Sequence, residues 1–592
     1  MPRQPRRGCG HATGAGTAVA ARVTAALVAA MVAVISTLVA AGAPAGATAY
    51  VPVSGEGSSW SANAINQWIA DVQPDGMRVN YTANGSTTGR EDYIKGLTDF
   101  AASDIPFQTD PTDGSAPEAP QPNSYAYMPI TAGGTVFMYN LKINGQQVTN
   151  LRLSGENITK IFTGAINNWD NPALAADNPG LKLPDQGIVP VVRSDGAGSS
   201  YELSEWMISQ YPSLWNSFCS SSGRAPSCGP TSFYPTPTDG VAQSGDLGVA
   251  GYVSQSYADG SIGYVEYSYA LNDHFPVVQL LNSAGYYTEP TAQNVAVSLL
   301  AAQVDTTNHN PAYYLTENLS GVYTDPDPRT YPLSSYSYLI LPTKIQGQFN
   351  AAEGTTLAAF SYYAMCQGQQ QSAALGYSPM PINLVEASFN QIVKIPGAVT
   401  QSINIQSCDN PTFTPSGANL LAQTAPYPPA CDKQGPTQCV NGTGGAASTV
   451  TQVSGNPHSA AVAPTGPGQP GSSGAAGSGA SPGSGGSGPG GTGGTGPGGK
   501  GGSKSKGGGS SAALAAVETC VAKHPHDVAA CADAAVSASA AGTDPTPDTQ
   551  TLAVTKGWSV EQTLILLIAL VLIALILVPG GLLSRRLDRR KR

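Results

Sequence analysis

Residues 191–200 read Val191-Val192-Arg193-Ser194-Asp195-Gly196-Ala197-Gly198-Ser199-Ser200, an apolar strand end that opens into a Gly/Ser turn, and residues 201–210 continue with a helical pattern. A strand-turn-helix junction of this composition suits an anion. The first N–H groups of a helix have no intrahelical partner and point outward with the positive end of the dipole. Glycines let the chain approach closely, and Arg193 brings a planar fork of donors for an oxyanion. Packing alone also places glycines before helices, so the junction becomes a site only if other segments agree with it.

Three other segments agree. Gly55-Glu56-Gly57-Ser58-Ser59-Trp60 precedes a helix predicted over residues 61–72 and offers the Ser59 hydroxyl and the Trp60 N–H. Asn84-Gly85-Ser86-Thr87-Thr88-Gly89 follows a strand predicted at residues 78–81 and offers Ser86. Capping explains any one of these helix starts, but three of one type in one chain point to a shared ligand. The last segment, Asp99-Phe100-Ala101-Ala102-Ser103-Asp104, ends an apolar stretch on a carboxylate. Asp104 repels a fully ionised anion such as sulfate but accepts a hydrogen bond from one that carries a proton at neutral pH, which predicts selectivity for phosphate over sulfate. A turn cap is the plain alternative for this aspartate.

Short apolar strands at residues 78–81, 135–139, 188–192, 263–265 and 338–341 alternate with helical patterns at 61–72, 157–162, 200–209, 292–302 and 355–366. That alternation predicts an α/β architecture with mainly parallel sheets. Residues 50–410 exceed what one hydrophobic core supports, so two lobes are expected.

The ends of the chain place it. Arg3, Arg6 and Arg7, an apolar run at residues 25–41 and the small residues Ala45-Gly46-Ala47-Thr48-Ala49 read as a signal peptide over residues 1–49, cleaved after Ala47 or Ala49. Cys9 precedes the apolar run and is badly placed for a lipid anchor. At the other end a transmembrane helix is predicted within residues 560–583, with Trp558 at its outer margin. A basic tail over 584–592, with Arg585, Arg586, Arg589, Arg590, Lys591 and Arg592, belongs on the cytoplasmic side. The expected location is the extracellular face of the cell membrane, single-pass anchored with a cytoplasmic C-terminus. Before the anchor, residues 443–510 are rich in Gly, Ser, Pro and Thr and read as a flexible tether with a reach of roughly 45–50 Å. Residues 511–545 read as a small Ala-rich helical segment.

With Cys9 removed, the other eight of the nine cysteines form an even set, which in an exported chain implies disulfides. Cys219/Cys228, Cys431/Cys439 and Cys520/Cys531 are near neighbours, with Cys366 and Cys408 remaining, and local pairing is the simplest assignment. None of the spacings has the Cys-x-x-Cys pairs of a zinc site, so no metal is expected. Charged residues make up 11% of the chain and the net charge is −10, which leaves no basic stripe for nucleic acid outside the tail. A small oxyanion responds to its local site, because salt screens distant charges beyond about 10 Å.

On these motifs the chain resembles the phosphate-binding proteins that serve bacterial phosphate ABC transporters, of the periplasmic-binding-protein type II fold. The likeness runs from about Val53 to Gly397 through Ser59-Trp60, Asn80-Tyr81 leading to Gly85-Ser86, Ala102-Ser103-Asp104, the stretch from Ile161 to Trp169, Arg193 to Ser199, and Ile262-Gly263-Tyr264-Val265-Glu266-Tyr267. It implies one binding lobe from residues 50–130 and 335–410, a second from 131–334, and a disulfide-clipped extension over 411–442. It also implies phosphate contacts from Ser59, the Trp60 N–H, Ser86, Asp104, Arg193, Gly198 and Ser199, with Asp195 orienting Arg193. Ala197 stands where the family often has Ser or Thr; its N–H is kept, but a lost hydroxyl costs roughly 1.5–3 kcal/mol unless a neighbour such as Ser200 replaces it. Trp169 is read as a packing residue and Glu266 as a strand-end or hinge residue. The partners implied are inorganic phosphate and a transporter permease, with no cofactor and a monomeric chain. A surface scaffold or phosphate sensor without a transport role is the alternative, and a phosphatase would need an activated nucleophile or metal pair that the sequence does not offer.

Overall fold

Strand β4, Tyr125–Asn140, is buried along its whole length and joins two wings of one sheet. The structure is a computed structural model that describes residues 50–414 and 416–451, with backbone alone at residues 459–460. The predicted signal peptide, most of the tether, the Ala-rich segment with Cys520 and Cys531, the transmembrane helix and the basic tail lie outside the described residues. Among the described residues no helix is long and apolar enough to cross a membrane.

The first wing comprises β1 (Val53–Gly57), α1 (Ala62–Val72), β2 (Val79–Thr82), α2 (Ser86–Lys95) and β3 (Phe100–Ser103). After β4 come α3 (Gly155–Phe162), β5 (Val189–Arg193), α4 (Gly198–Gln210), β6 (Val241–Gln243), α5 (Gly245–Val253), β7 (Ser261–Glu266) and α6 (Tyr267–Asn272) in the second wing. Then α7 (Ala292–Ser298) leads to β8 (Ser334–Pro342) and α8 (Ala351–Met365), which return to the first wing. The strand order is β2-β1-β3-β8-β4-β7-β5-β6.

The sheet is mixed, and the expected parallel pairing holds only in its wings. The outer pairs β1/β2, β1/β3, β7/β5 and β5/β6 are parallel, but the three central pairings are antiparallel. β4 pairs with β8 from Tyr125 to Gly134 and with β7 from Thr135 to Asn140, so it changes partner between Gly134 and Thr135. Glycine is required there: a Cβ on Gly133 would lie 2.7 Å from the Trp60 ring, and one on Gly134 would lie 2.3 Å from Pro290.

Amphipathic helices seat on the sheet by ordinary spacing. On α1, Ile65, Trp68 and Val72 fall on one face and are fully buried, and the Trp68 Nε1–H donates to the Gly368 carbonyl at 3.0 Å. α8 opens on a capping box in which Asn350 and Glu353 satisfy each other's amides. Trp169 is buried, with its Nε1–H on the Gly260 carbonyl at 3.0 Å, as its packing assignment requires.

Among the described residues there are three disulfides, Cys219–Cys228, Cys366–Cys408 and Cys431–Cys439. The second closes 42 residues of chain, worth about 4 kcal/mol in the chain-entropy description. Beyond it the extension crosses to the second wing, where buried Arg152 donates to the carbonyls of Cys431 (2.9 Å) and Gly435 (3.2 Å) and stacks on Tyr287. Ordered contacts continue past Gly442, the expected start of the tether. Thr443 Oγ1 donates to Val277 O at 2.5 Å, and the Thr149 N–H donates to Thr451 Oγ1 at 2.9 Å. The buried carbonyls of Thr149 and Val277 need donors, and Thr443 supplies one.

Glu289 couples this docking to pH. Its Oε2 accepts the Gly444 N–H at 2.7 Å and the Tyr267 hydroxyl at 3.2 Å, yet burial pushes its carboxyl up to about 7. A carboxyl raised in the folded state contributes stability that is complete below its unfolded value near 4.3 and is lost as pH rises to about 7, on the order of 3 kcal/mol. Glu289→Gln keeps the acceptor and removes the charge. Urea unfolding is expected to show the variant more stable than the parent at about pH 8, with the difference vanishing near pH 4; equal stabilities at both pH values would refute the linkage.

Candidate anion-binding site

The C-terminal ends of β1, β3 and β5 and the N-termini of α1, α2 and α4 all reach the cleft between the wings. Asp104, directly after β3, is its floor. The carboxylate is 2% exposed and accepts three hydroxyls: Ser58 at 2.7 Å and Ser337 at 2.8 Å on Oδ1, and Ser86 at 3.1 Å on Oδ2. Burial raises its pKa above the ordinary aspartate value, and the three hydroxyls and nearby Asp246 only partly offset and partly add to that effect.

Across the cleft, Arg193 ends β5 with its guanidinium buried. Asp195 grips it in bidentate fashion, Oδ1 on Nε at 2.9 Å and Oδ2 on NH2 at 2.5 Å, and is itself held by the Gly245 N–H at 2.9 Å. Burial opposes ionisation of Asp195, but Arg193 holds its pKa below the usual carboxylate range. Arg193 NH1 meets Asp246 Oδ2 at 2.6 Å and Ser199 Oγ at 3.4 Å. Burial would lower the arginine's pKa, yet Asp246 and Asp195 raise it, so the guanidinium stays charged.

The helix start of α4 closes the cleft. Its first-turn amides at Gly198, Ser199 and Ser200 have no intrahelical acceptors by helix geometry. A Cβ on Gly198 would stand 2.7 Å from both Cβ and Oδ2 of Asp104, so glycine is what permits the wings to meet there. Further contacts cross the cleft: the Thr87 N–H donates to Gly196 O at 3.0 Å, and the Tyr269 hydroxyl donates to Ser59 O at 2.6 Å.

The structure thus gathers Ser59, Ser86, Asp104, Arg193, Asp195, Gly198 and Ser199, but it redistributes several expected donors. The Ser59 hydroxyl donates to Asp246 at 2.5 Å and accepts that residue's own N–H at 3.0 Å. The Trp60 N–H donates to Ser58 Oγ at 3.1 Å, because Ser58 caps the loop ahead of α1. The Ala197 N–H, expected to be kept for the anion, is committed to the Ser232 carbonyl at 2.9 Å. Ser200 does not replace the missing hydroxyl either, since its Oγ is 2.6 Å from the Tyr264 hydroxyl. Glu266 ends β7 and caps α6 through the Ser268 N–H at 2.7 Å, consistent with a strand-end role.

Sequence reasoning missed Ser58, Ser337 and Asp246. Ser58 and Ser59 are adjacent hydroxyls, and only the loop geometry decides which one faces Asp104. Ser337 belongs to Ser334-Ser335-Tyr336-Ser337, a run of hydroxyls in a buried strand that was a signal in itself. Asp246 follows Ser244-Gly245 at the start of α5, the same Gly/Ser helix-start pattern used for the other segments.

Two sheet wings that share a long strand and face each other across a cleft have the architecture of binding proteins that close by a hinge around a ligand. Residues 40–367 match the PBP superfamily domain. The chain is 30% identical over 340 residues to the phosphate-binding protein PstS of Xylella fastidiosa, covering 57% of this chain and 84% of that protein. It is 29% identical over 333 residues to phosphate-binding protein PstS 2 of Mycobacterium tuberculosis, covering 55% and 82%. A solved high affinity periplasmic phosphate-binding protein bound with phosphate aligns at 18% identity and a TM-score of 0.44, covering 57% of this chain and 92% of that one. The chain belongs to the PstS family of the PBP superfamily.

Gly198→Ala tests the closed geometry directly. The added methyl overpacks against Asp104, at a cost of about 1–3 kcal/mol, and is expected to hold the wings apart. Small-angle scattering should report a larger radius of gyration than the parent's; an unchanged radius would mean that this contact does not set closure.

Proposed function

We propose that this chain captures inorganic phosphate between its two wings and delivers it to an ABC transporter, acting as a membrane-held receptor outside the cytoplasm and catalysing nothing. The observation that carries the reading is Asp104, a buried carboxylate held by three hydroxyls and lying against the N-terminus of α4. Oriented amides, hydroxyls and the Arg193 guanidinium replace the hydration shell of a tetrahedral anion, while Asp104 accepts a hydrogen bond from its P–OH. A fully ionised anion offers that carboxylate no proton and meets its charge uncompensated. The partner change within β4 gives the wings a hinge, and differential binding to the closed form drives closure.

The residues proposed to touch phosphate are Ser59, Trp60, Ser86, Asp104, Arg193, Ala197, Gly198 and Ser199. Ser59, Trp60 and Ala197 must exchange their present partners to do so. That exchange favours a second reading, a phosphate sensor or surface scaffold that binds weakly and does not serve transport. The signal peptide, tether and C-terminal anchor would hold either protein at the outer membrane face.

Calorimetric titration with phosphate separates the readings: submicromolar binding that excess sulfate does not displace supports the receptor, and no binding at any accessible concentration refutes it. In Asp104→Asn the amide loses a charged acceptor, so phosphate affinity should fall about 10- to 100-fold while sulfate affinity does not fall. An unchanged phosphate-to-sulfate ratio would sink this account of Asp104.

A further inference from the structure

Away from the cleft floor, the N-terminal half of α4 meets the first wing along one helix face. Gly198 stands against Asp104, and Glu202, one turn further on, accepts the Ser335 hydroxyl of β8 at 2.9 Å. Ser335 is paired with Gly133, one of the two glycines where β4 changes partner, so buried Glu202 touches β8 directly opposite the hinge. The other edge of β8 has no strand beside it there, because pairing with β3 begins only at Tyr338. Glu317, on the two-residue strand Glu317–Asn318, fills that edge: its partly exposed carboxylate accepts the Tyr336 N–H at 3.1 Å. Two carboxylates, one from α4 and one from the segment that leads into β8, thus grip consecutive residues of one strand.

No cation answers them. Among the described residues no salt bridge reaches Glu202, Glu205 or Glu317, since Arg90 is engaged by Glu118 and Arg193 by Asp195 and Asp246. The neighbouring charges are all negative: Glu205 on α4, which accepts the Tyr323 hydroxyl at 3.4 Å, and Asp104 both act on Glu202 and on Glu317. Of the phenols in the cluster, Tyr323, Tyr336 and Tyr338 are kept neutral by burial. The Tyr338 hydroxyl lies beside Glu317 and completes no hydrogen bond. Like charges in so dry a setting repel far more strongly than in water.

We infer that Glu202 and Glu317 form a proton-operated latch on the wings: a proton held in this pair lets α4 lie on β8, and its loss sets like charges against each other and lifts α4 off the hinge. Burial holds both carboxyls well above the ordinary glutamate range, and the neighbouring carboxylates add to that, against only partial relief from the Ser335 hydroxyl and the Tyr336 amide. Opening returns Glu202 to water and brings the pair toward the free value of about 4.3. A group raised in the closed form stabilises that form fully below its open-form value and ceases to do so as pH rises through its closed-form value. Acid therefore favours closed wings and alkali open ones. The latch needs no ligand and holds whatever anion fills the cleft.

The test measures the distance between spin labels attached through Leu97→Cys on the first wing and Tyr257→Cys on the second, both exposed positions, in the purified full-length chain without phosphate. The pH runs from about 5 to about 9, which spans the ordinary glutamate value and the raised ones. In the parent the ratio of closed to open wings should fall by up to about tenfold per pH unit through the transition. Glu202→Gln keeps an acceptor for Ser335 and removes the charge, so its ratio should change less than about threefold over the whole range. Glu317→Gln keeps an acceptor for the Tyr336 amide, should behave in the same way, and carries the comparison if the first variant misfolds. A parent whose label distance ignores pH, or an equal pH response in the parent and both variants, overturns the inference.

Discussion

A single buried guanidinium shared between two aspartates is the interaction on which the cleft depends. Arg193 cannot be discharged, so burying it obliges the chain to supply anions, and Asp195 and Asp246 do so from two separate loops. Each loop is anchored by that demand. Asp195 draws in the Gly245 amide and with it the start of α5, while Asp246 reaches the first wing through Ser59. Arg193, Asp195 and Asp246 all lie in the second wing, so the guanidinium is neutralised within that wing, and the Ser59 hydroxyl on Asp246 ties the pair to the first.

The hinge follows from the backbone. A strand that pairs with β8 over its first part and β7 over its second can bend only where the ladder changes hands, and the chain puts Gly133-Gly134 there. Their missing side chains admit Trp60 from one side and Pro290 from the other, so the hinge is packed rather than hollow. The ladder also carries a register shift between Ser337 and Tyr338, which sets Tyr338 opposite Pro129 where no amide is available.

Much of this was readable from residues alone, and the unread parts share a cause. Strands with apolar runs, such as β5 and β7, fell within a residue or two of their expected ends. The first part of β4 was hidden by Pro129, Gly133 and Gly134, and the first part of β8 by its serines, because both are buried between layers and need no hydrophobic alternation. Helix α7 stops at Ser298 rather than 302, where the Ser298 hydroxyl turns back on the Asn294 carbonyl and accepts the Tyr331 amide. In the cleft, Arg193, Asp195, Gly198 and Ser199 were legible because one short segment carries them in fixed spacing. Asp246, Ser58 and Ser337 were not, because their roles come from partners 53, 46 and 233 positions away.

The extension alters what opening must cost. It leaves the first wing at Cys408, held to Cys366 after α8, and docks on the second through Arg152, Asn150 and Thr149. The wings are thus joined by a further covalent strap in addition to β4 and the segment leading into β8. Arg152 anchors the strap: it is buried, its Nε–H holds the Asp177 carbonyl of the second wing while NH1 and NH2 end on carbonyls of the extension, and replacing it would take that donor from each of them in a dry interface. Residues 409–430 between the two docking points are not free: Asn410 and Thr412 hold the Met380 and Pro379 carbonyls, Arg329 holds those of Ala422 and Ala425, and Leu421, Ala422 and Ala425 pack on Ala292, Ala296 and Val297 of α7, so a hinge motion has to spare or break these contacts as well. The last described contacts of the chain, Thr451 on Thr149 and the backbone of Ser459–Ala460 on Gln438–Cys439, lie on the wing that carries Arg193 rather than on the one that carries Asp104.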